Sequence, residues 1–300
     1  AIDRSEVAGL PPQDWDSVAD LGISPDNWTL SFVAPGSGSG REVYLLDRRS
    51  LEYRQASALG YSSVRHPIWR PGGSEVTFIA GQSPQAAHDI YALAIDAQGQ
   101  RLLLPVGSVG LRDMAWSDTG DILYVSNDGI FAFDEGEGQL AGPLTASLGF
   151  GPEYGMTHSP RDPFLYYLKP FRNIETGATG GLVYRFQTDN AADTLPQEQK
   201  MGEGFMERLA FDRQGDFLLI ASTTDVWVRD LAFNSSVQVV SGAKQPPQPI
   251  FSPDSETVAY IDLDAAGVPQ IFIVPRLGGT PRQLTSHTYG TVSDLVWAEN

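Results

Sequence analysis

Three observations predict an all-β fold for this chain of 300 residues. Gly (31) and Pro (21) are frequent enough to break the sequence into short runs, which favours turns over long helices. No stretch combines helical apolar periodicity with helix caps over many residues. The stretch Ile250 to Ser286, "IFSPDSETVAYIDLDAAGVPQIFIVPRLGGTPRQLTS", also returns in altered form along the chain.

The first element of each copy is a turn leading into an apolar strand. It occurs as "GISPDNWTLSFVA" (22–34), "IWRPGGSEVTFIA" (68–80), "AWSDTGDILYVS" (115–126), "THSPRDPFLYYL" (157–168), "AFDRQGDFLLIA" (210–221) and "IFSPDSETVAYI" (250–261). The anchor positions are Ile23, Trp69, Trp116, His158, Phe211, Phe251 and Trp297, a mean spacing of about 46 residues, which suits propeller blades. The Pro-Asp pairs at 25–26 and 253–254 have a structural reading: Pro pre-sets φ and Asp bonds nearby backbone, so they are not paired catalytic carboxylates.

A second apolar segment follows in every copy: "EVYLLD" (42–47), "DIYALAID" (89–96), "GIFAFD" (129–134), "GLVYRF" (181–186), "DVWVRD" (225–230) and "QIFIVP" (270–275). Its aromatic and β-branched content suits strands covered on both faces. An outer strand closes most copies, as in Gln100–Pro105, Ser236–Ser241 and Pro281–Ser286. Four strands per copy make one blade, and radial packing protects sheet edges that a lone blade would expose.

The predicted architecture is an all-β propeller of four-stranded blades, six in number, with seven as the alternative. Residues 1–17 form an N-terminal extension and 18–300 a single propeller domain. Its units start near 18, 64, 111, 153, 205 and 247, and a surplus innermost strand covers 291–297, where "TVSDLVW" echoes "SVADLGI" (17–23).

The residues that carry this pattern, "FSPDSETVAYIDLDAAGVPQIFIVPRLGGTPRQLT" above all, resemble the TolB-like, WD40-like (PD40) repeat family of bacterial envelope proteins. The resemblance covers about Val18 to Thr285. The copy at His158, with Arg161-Asp162-Pro163 in its turn, departs most. It implies a propeller fold; propellers of this kind serve as envelope scaffolds and as gating domains of serine peptidases, so the motif specifies architecture rather than activity.

Composition removes several function classes. With 41% hydrophobic and 19% charged residues the chain is globular, not disordered. A formal net charge of -17 repels phosphate backbones and anionic membrane surfaces, so nucleic acid is not an expected partner. Zero Cys excludes disulfides, thiolate nucleophiles and Cys-based metal sites. No apolar run approaches the ~20 residues of a membrane span, and the first residues lack the basic and apolar regions of a signal peptide. A periplasmic or extracellular location is expected, with any signal or tether lying outside these residues.

Innermost propeller strands line the channel, so equivalent positions from successive copies can converge. Three residues before each anchor stand Asp20, His66, Asp113, Gly155, Arg208, Gln248 and Asp294. This polar column is the candidate binding site at the channel mouth, with a solvated channel as the alternative. A second candidate is Phe171 with Arg172, an aromatic and a cation in the first of two insertions, Lys169–Gly180 and Gln187–Gly204, both expected to be loops.

Other motifs are set aside. "GSGSG" (36–40) centres on Gly38 and joins two strands, unlike a nucleophile elbow. "GEGQLAG" (136–142) misses the dinucleotide-binding spacing by one residue. Asp262 and Asp264 lack the later ligands of a calcium loop and read as a polar hairpin tip. The "NWT" and "NSS" sequons at Asn27 and Asn234 carry no weight in a bacterial chain. His158 is expected to pack in the aromatic slot, and His88 and His287 to lie in surface loops.

The expected function is a non-catalytic binding or scaffold module for a protein or peptide, with no cofactor and no metal. The alternatives are a propeller enzyme acting on a saccharide or peptide, with His66, Asp113 and Arg208 as acid, base and electrostatic groups, or the sensor domain of a longer envelope protein.

Overall fold

In the computed structural model, which describes residues 18–97, 99–189, 197–201, 204–292 and 294–298, the chain forms six four-stranded sheets. In each, consecutive strands are antiparallel neighbours. Blade 1 holds β1 (Ala19–Ile23), β2 (Thr29–Pro35), β3 (Arg41–Asp47) and β4 (Tyr53–Gln55). Blade 2 holds β5 (Ser63–Trp69), β6 (Glu75–Gly81), β7 (His88–Ala94) and β8 (Arg101–Ser108). Blade 3 follows with β9 (Asp113–Trp116), β10 (Ile122–Ser126), β11 (Ile130–Asp134) and β12 (Gln139–Ala141). Blade 4 has β13 (Tyr154–His158), β14 (Phe164–Arg172), β15 (Thr179–Gln187) and β16 (Gln199–Lys200). Blade 5 has β17 (Arg208–Phe211), β18 (Phe217–Ala221), β19 (Val226–Asp230) and β20 (Ser235–Val240). Blade 6 has β21 (Ile250–Phe251), β22 (Thr257–Leu263), β23 (Pro269–Pro275) and β24 (Arg282–Gln283).

The fold is a six-bladed β-propeller. Two compact units are distinguishable among the described residues, one running to Leu111 with Ala298 added and holding blades 1 and 2, the other Arg112–Trp297 holding blades 3 to 6. Thr291–Trp297, expected as a surplus inner strand, carries no strand among its described residues.

The repeat motif resolves into hydrogen bonds. In blades 1, 3, 5 and 6 the residue after the anchor caps its hairpin: Ser24 Oγ accepts the Thr29 N–H (2.9 Å), Ser117 Oγ the Ile122 N–H (3.1 Å), Asp212 Oδ1 the Phe217 N–H (2.8 Å) and Ser252 Oγ the Thr257 N–H (2.9 Å). In the Ser-Pro-Asp turns, Asp26 and Asp254 accept the serine hydroxyl and a backbone N–H two residues on. This is the local bonding that makes Asp favourable in turns.

The polar residue that opens the third strand does a second job. Glu42, Asp89, Asp225 and Gln270 accept the N–H of Gly60, Gly107, Gly242 and His287, tying down the segment that leaves each blade. Ser57, Thr145 and Thr285 then accept the N–H of Val43, Ile130 and Ile271 at 2.8 to 2.9 Å. Backbone donors that β-pairing leaves unpaired are thus satisfied by side chains. In "GSGSG", Gly40 is required by crowding, since a Cβ there would lie 2.5 Å from the Gly60 carbonyl carbon.

Cores sit between neighbouring sheets. Val33, Val43, Val64, Val76 and Phe78 join blades 1 and 2. Tyr124, Leu144, Met156, Tyr167 and Phe186 join blades 3 and 4. Leu219, Val228, Phe251, Val258 and Tyr260 join blades 5 and 6. Burying each such side chain contributes about 1.5–3 kcal/mol, which explains why the strands read as nearly continuous apolar runs.

Two expectations need correcting. The Lys169–Gly180 insertion is a strand extension, because β14 and β15 pair in register from Phe164↔Gln187 out to Arg172↔Thr179, placing Phe171 and Arg172 on a hairpin arm rather than a loop. His88 is not a surface loop residue; it opens β7, is 2% exposed, and its Nε2 lies 2.8 Å from Ser63 Oγ. His158 packs in the aromatic slot, stacked on Tyr124 at 6.0 Å, with Nδ1 bonded to the Ser159 carbonyl. Asp264 Oδ1 accepts the Ala266 and Val268 N–H groups, as a polar hairpin tip does.

Candidate functional site

The polar column does not occupy one structural position. In blades 3 and 5 the inner strand is regular, and Asp113 and Arg208 pair with Ser126 and Ala221. In blades 1, 2 and 4 the register shifts between the anchor and the column, so two residues oppose one. The column residue there lies at positive φ: Asp20 (55°), His66 (57°) and Gly155 (60°), with Gln248 of blade 6 at 44°. These are β-bulges with the extra residue left-handed. Counting rungs from the anchor, the position of Asp113 is taken by Ala19 in blade 1, Arg65 in blade 2 and Tyr154 in blade 4.

Column residues instead connect neighbouring blades. Asp20 Oδ2 accepts the N–H of the bulged His66 (3.2 Å). Asp113 Oδ2 accepts the N–H of Met156, next to the bulged Gly155 (2.9 Å), while its Oδ1 accepts the Met114 N–H (2.8 Å). Arg208 Nη1 donates to Oε1 of the bulged Gln248 (3.4 Å). In the first two contacts a bulge frees a backbone N–H and the preceding blade supplies its acceptor, whereas Arg208 meets the Gln248 side chain.

Three column residues are brought together. Arg208, Gln248 and Asp294 line a cavity of about 220 Å³ with Glu207, Ala221, Ser222, Pro246 and Pro247. Burial lowers the Arg208 pKa from its ordinary value, and the Asp294 carboxylate opposes that shift. Burial raises the Glu207 pKa, with Arg112 opposing. Arg112 lies 4.1 Å over the Tyr154 ring, and the Tyr154 hydroxyl, pushed up to about 12 by burial, donates to the Met206 carbonyl. Sequence reasoning missed Glu207 and Ser222, although Glu207 adjoins a column residue.

The second candidate is an aromatic row. Phe171 stacks on Phe205 (centroids 5.8 Å, 12° between planes) and meets Phe150 edge-on (5.8 Å, 74°). Phe150 is 47% exposed, and Ile174 at the hairpin tip is 90% exposed. Phe150 and Phe205 were not singled out in the sequence; the available signal was an aromatic residue set among glycines, "FG" at 150–151 and "GF" at 204–205. Below the row, Lys169 is 3% exposed, with Nζ donating to Glu198 and to the Ala146 carbonyl. Among the described residues no group of three or more His, Cys, Asp or Glu side chains could hold a metal ion.

No family model matches the sequence. TolB from Acinetobacter baumannii superposes with a TM-score of 0.59 over 92% of this chain and 65% of its own, at 13% identity. The fold is TolB-like. An oligogalacturonate lyase from Vibrio parahaemolyticus matches with a TM-score of 0.65 at 10% identity, over 89% of this chain and 76% of the lyase. A prolyl endopeptidase matches with a TM-score of 0.63 at 16% identity, over 89% of this chain and 42% of the endopeptidase. In sequence, the uncharacterized peptidase YuxL of Bacillus subtilis (strain 168) is 33% identical over 76 residues, 25% of this chain and 11% of that protein. The chain thus spans less than two thirds of the TolB chain and about a tenth of the peptidase. Propellers of binding proteins and of enzymes share this architecture, and at such identities the likeness is one of fold.

Proposed function

We propose that the chain is an extracytoplasmic binding module, without catalysis of its own, that recognises a protein or peptide partner. The observation that carries this reading is the aromatic row in which Phe150 and Phe205 pack against Phe171 of the extended hairpin of blade 4, beside the exposed Ile174 and the Arg172 cation. Aromatic anchors with an adjacent Arg are the residue types that dominate protein interfaces. The column residues Asp20, His66, Asp113, Arg208, Gln248 and Asp294 are proposed as further contacts or as supports of the surface.

The catalytic alternative is disfavoured by Asp113. It is 5% exposed, and each carboxylate oxygen accepts a backbone N–H, so it is poorly placed to take a proton from a substrate. The test is capture of proteins from an envelope extract on the immobilised chain, compared with an Ile174→Asp/Arg172→Glu variant. Proteins held by the first and lost by the second support the reading. Capture that is absent, or indifferent to the variant, sinks it.

A further inference from the structure

The Arg208 cavity shares no residue with the aromatic row, and its lining is chemically unusual. Arg208, Asp294, Gln248 and Ser222 line one space with Ala221, Pro246 and Pro247, and the Asp294 carboxylate is the charge that acts on the Arg208 guanidinium, whereas Glu207, also in the lining, has Arg112 as its charged neighbour. Arg208 commits little of its hydrogen-bonding capacity here. Among the described residues its side-chain bond is the long 3.4 Å contact to Gln248, whereas a guanidinium carries five N–H donors in a planar fork that suits a carboxylate.

Charge count narrows the ligand. A simple anion would meet the Asp294 carboxylate in a chain of net charge -17, and a simple cation would meet the Arg208 guanidinium. A molecule bearing both charges meets an opposite partner for each. Its carboxylate pairs with Arg208, and its ammonium, with three donors, pairs with Asp294 and with oxygens of Gln248 or Ser222. Being neutral overall, it also escapes the long-range repulsion of the acidic surface.

Size narrows it further. The volume of about 220 Å³ exceeds the roughly 150 Å³ of an engineered cavity that takes benzene, so it suits a molecule somewhat larger than six heavy atoms and not a folded segment. The proline and alanine walls leave room for an aliphatic side chain. We propose that this cavity binds a free α-amino acid through its zwitterionic head, with Arg208 holding the carboxylate and Asp294 the ammonium.

The test is isothermal titration of the whole chain with L-leucine, L-lysine and L-glutamate, then with N-acetyl-L-leucine and L-leucinamide, which remove one head charge each. At least one free amino acid should bind saturably, and blocking either charge on leucine should weaken its binding by about tenfold or more. Arg208→Lys, which keeps the charge but not the fork, should weaken it as well. Asp294→Asn should do the same, with unchanged circular dichroism showing that both variants fold. No saturation with any of the three up to about 10 mM overturns the inference, as does equal binding of the blocked forms. These variants leave Phe150, Phe171, Phe205, Arg172 and Ile174 in place, so a failure of amino-acid binding with protein capture retained separates this inference from the protein-binding proposal.

Discussion

Blades 4 and 6 share one strand order and differ in how they satisfy it. Blade 6 keeps the repeat chemistry: Ser252 and Asp254 close its first turn, and Gln270 and Thr285 tie its third strand to the exit segment. Blade 4 abandons most of it. Its turn runs Arg161-Asp162-Pro163, with Ser159 Oγ accepting the N–H groups of Arg161 and Asp162, and Leu182 stands where blades 1, 2, 5 and 6 place Glu, Asp or Gln. In exchange its central hairpin grows to nine residues per strand, is braced by Lys169, Glu198 and Tyr167, and supplies Phe171 at the centre of the aromatic row. The repeat motif is therefore a device for satisfying backbone groups, and the blade that departs from it is where surface chemistry accumulates.

The comparison can be broken most severely at Glu198. Glu198→Ala leaves the Lys169 ammonium buried with the Ala146 carbonyl as its remaining oxygen partner among the described residues, and should cost about 3–5 kcal/mol in urea unfolding, far more than any exposed ion pair. In blade 6 the corresponding cut is Thr285→Val. It strands the Ile271 N–H and one bond of Gln270, an expected loss of about 1–3 kcal/mol. Equal losses at the two sites would show that blade 4 is braced no differently from blade 6.

Gly155→Ala sharpens the bulge argument. The position has φ 60°, and a Cβ would lie 3.1 Å from Leu168 Cδ1, so about 1–2 kcal/mol should be lost, whereas a substitution at the regular position of Ala115 carries no backbone penalty.

The smallest effect is pH-dependent. Burial lowers the pKa of His158 from 6.5 in the folded chain, with the Ser159 carbonyl and Asp118 opposing. Above 6.5 both states are neutral and the group contributes nothing. As pH falls through 6.5 the unfolded chain binds a proton that the folded chain resists, so stability declines until the lower folded pKa is reached. His158→Phe, the residue type of other copies, should flatten denaturation midpoints between about pH 7 and 5 relative to the parent chain. An unchanged slope would assign the decline elsewhere, first to His88, whose pKa burial also lowers.

Much of the fold was legible because it is written locally. Turn residues such as Pro253 and Asp254 act within a few positions, and alternation along β22 or β23 follows from apolar side chains that must be covered. The insertion at Lys169 was misread because its composition, rich in Gly, Thr and Asn, signals loop. Cross-strand pairing to Gly180 and Thr179, with Phe171 packed between Phe150 and Phe205, overrode that propensity.

The sequence by itself determined the all-β class, the period of about 46 residues and the hairpin turns, since each depends on contacts between near neighbours or on a repeated burial pattern. Only the tertiary structure decided which column residues meet. Spacing of three from an anchor is the same number in a bulged and a regular strand, but the bulge turns one residue left-handed and moves the next by a rung. That choice depends on the neighbouring blade. It makes Asp113 a backbone staple and gathers Arg208, Gln248 and Asp294 around one cavity.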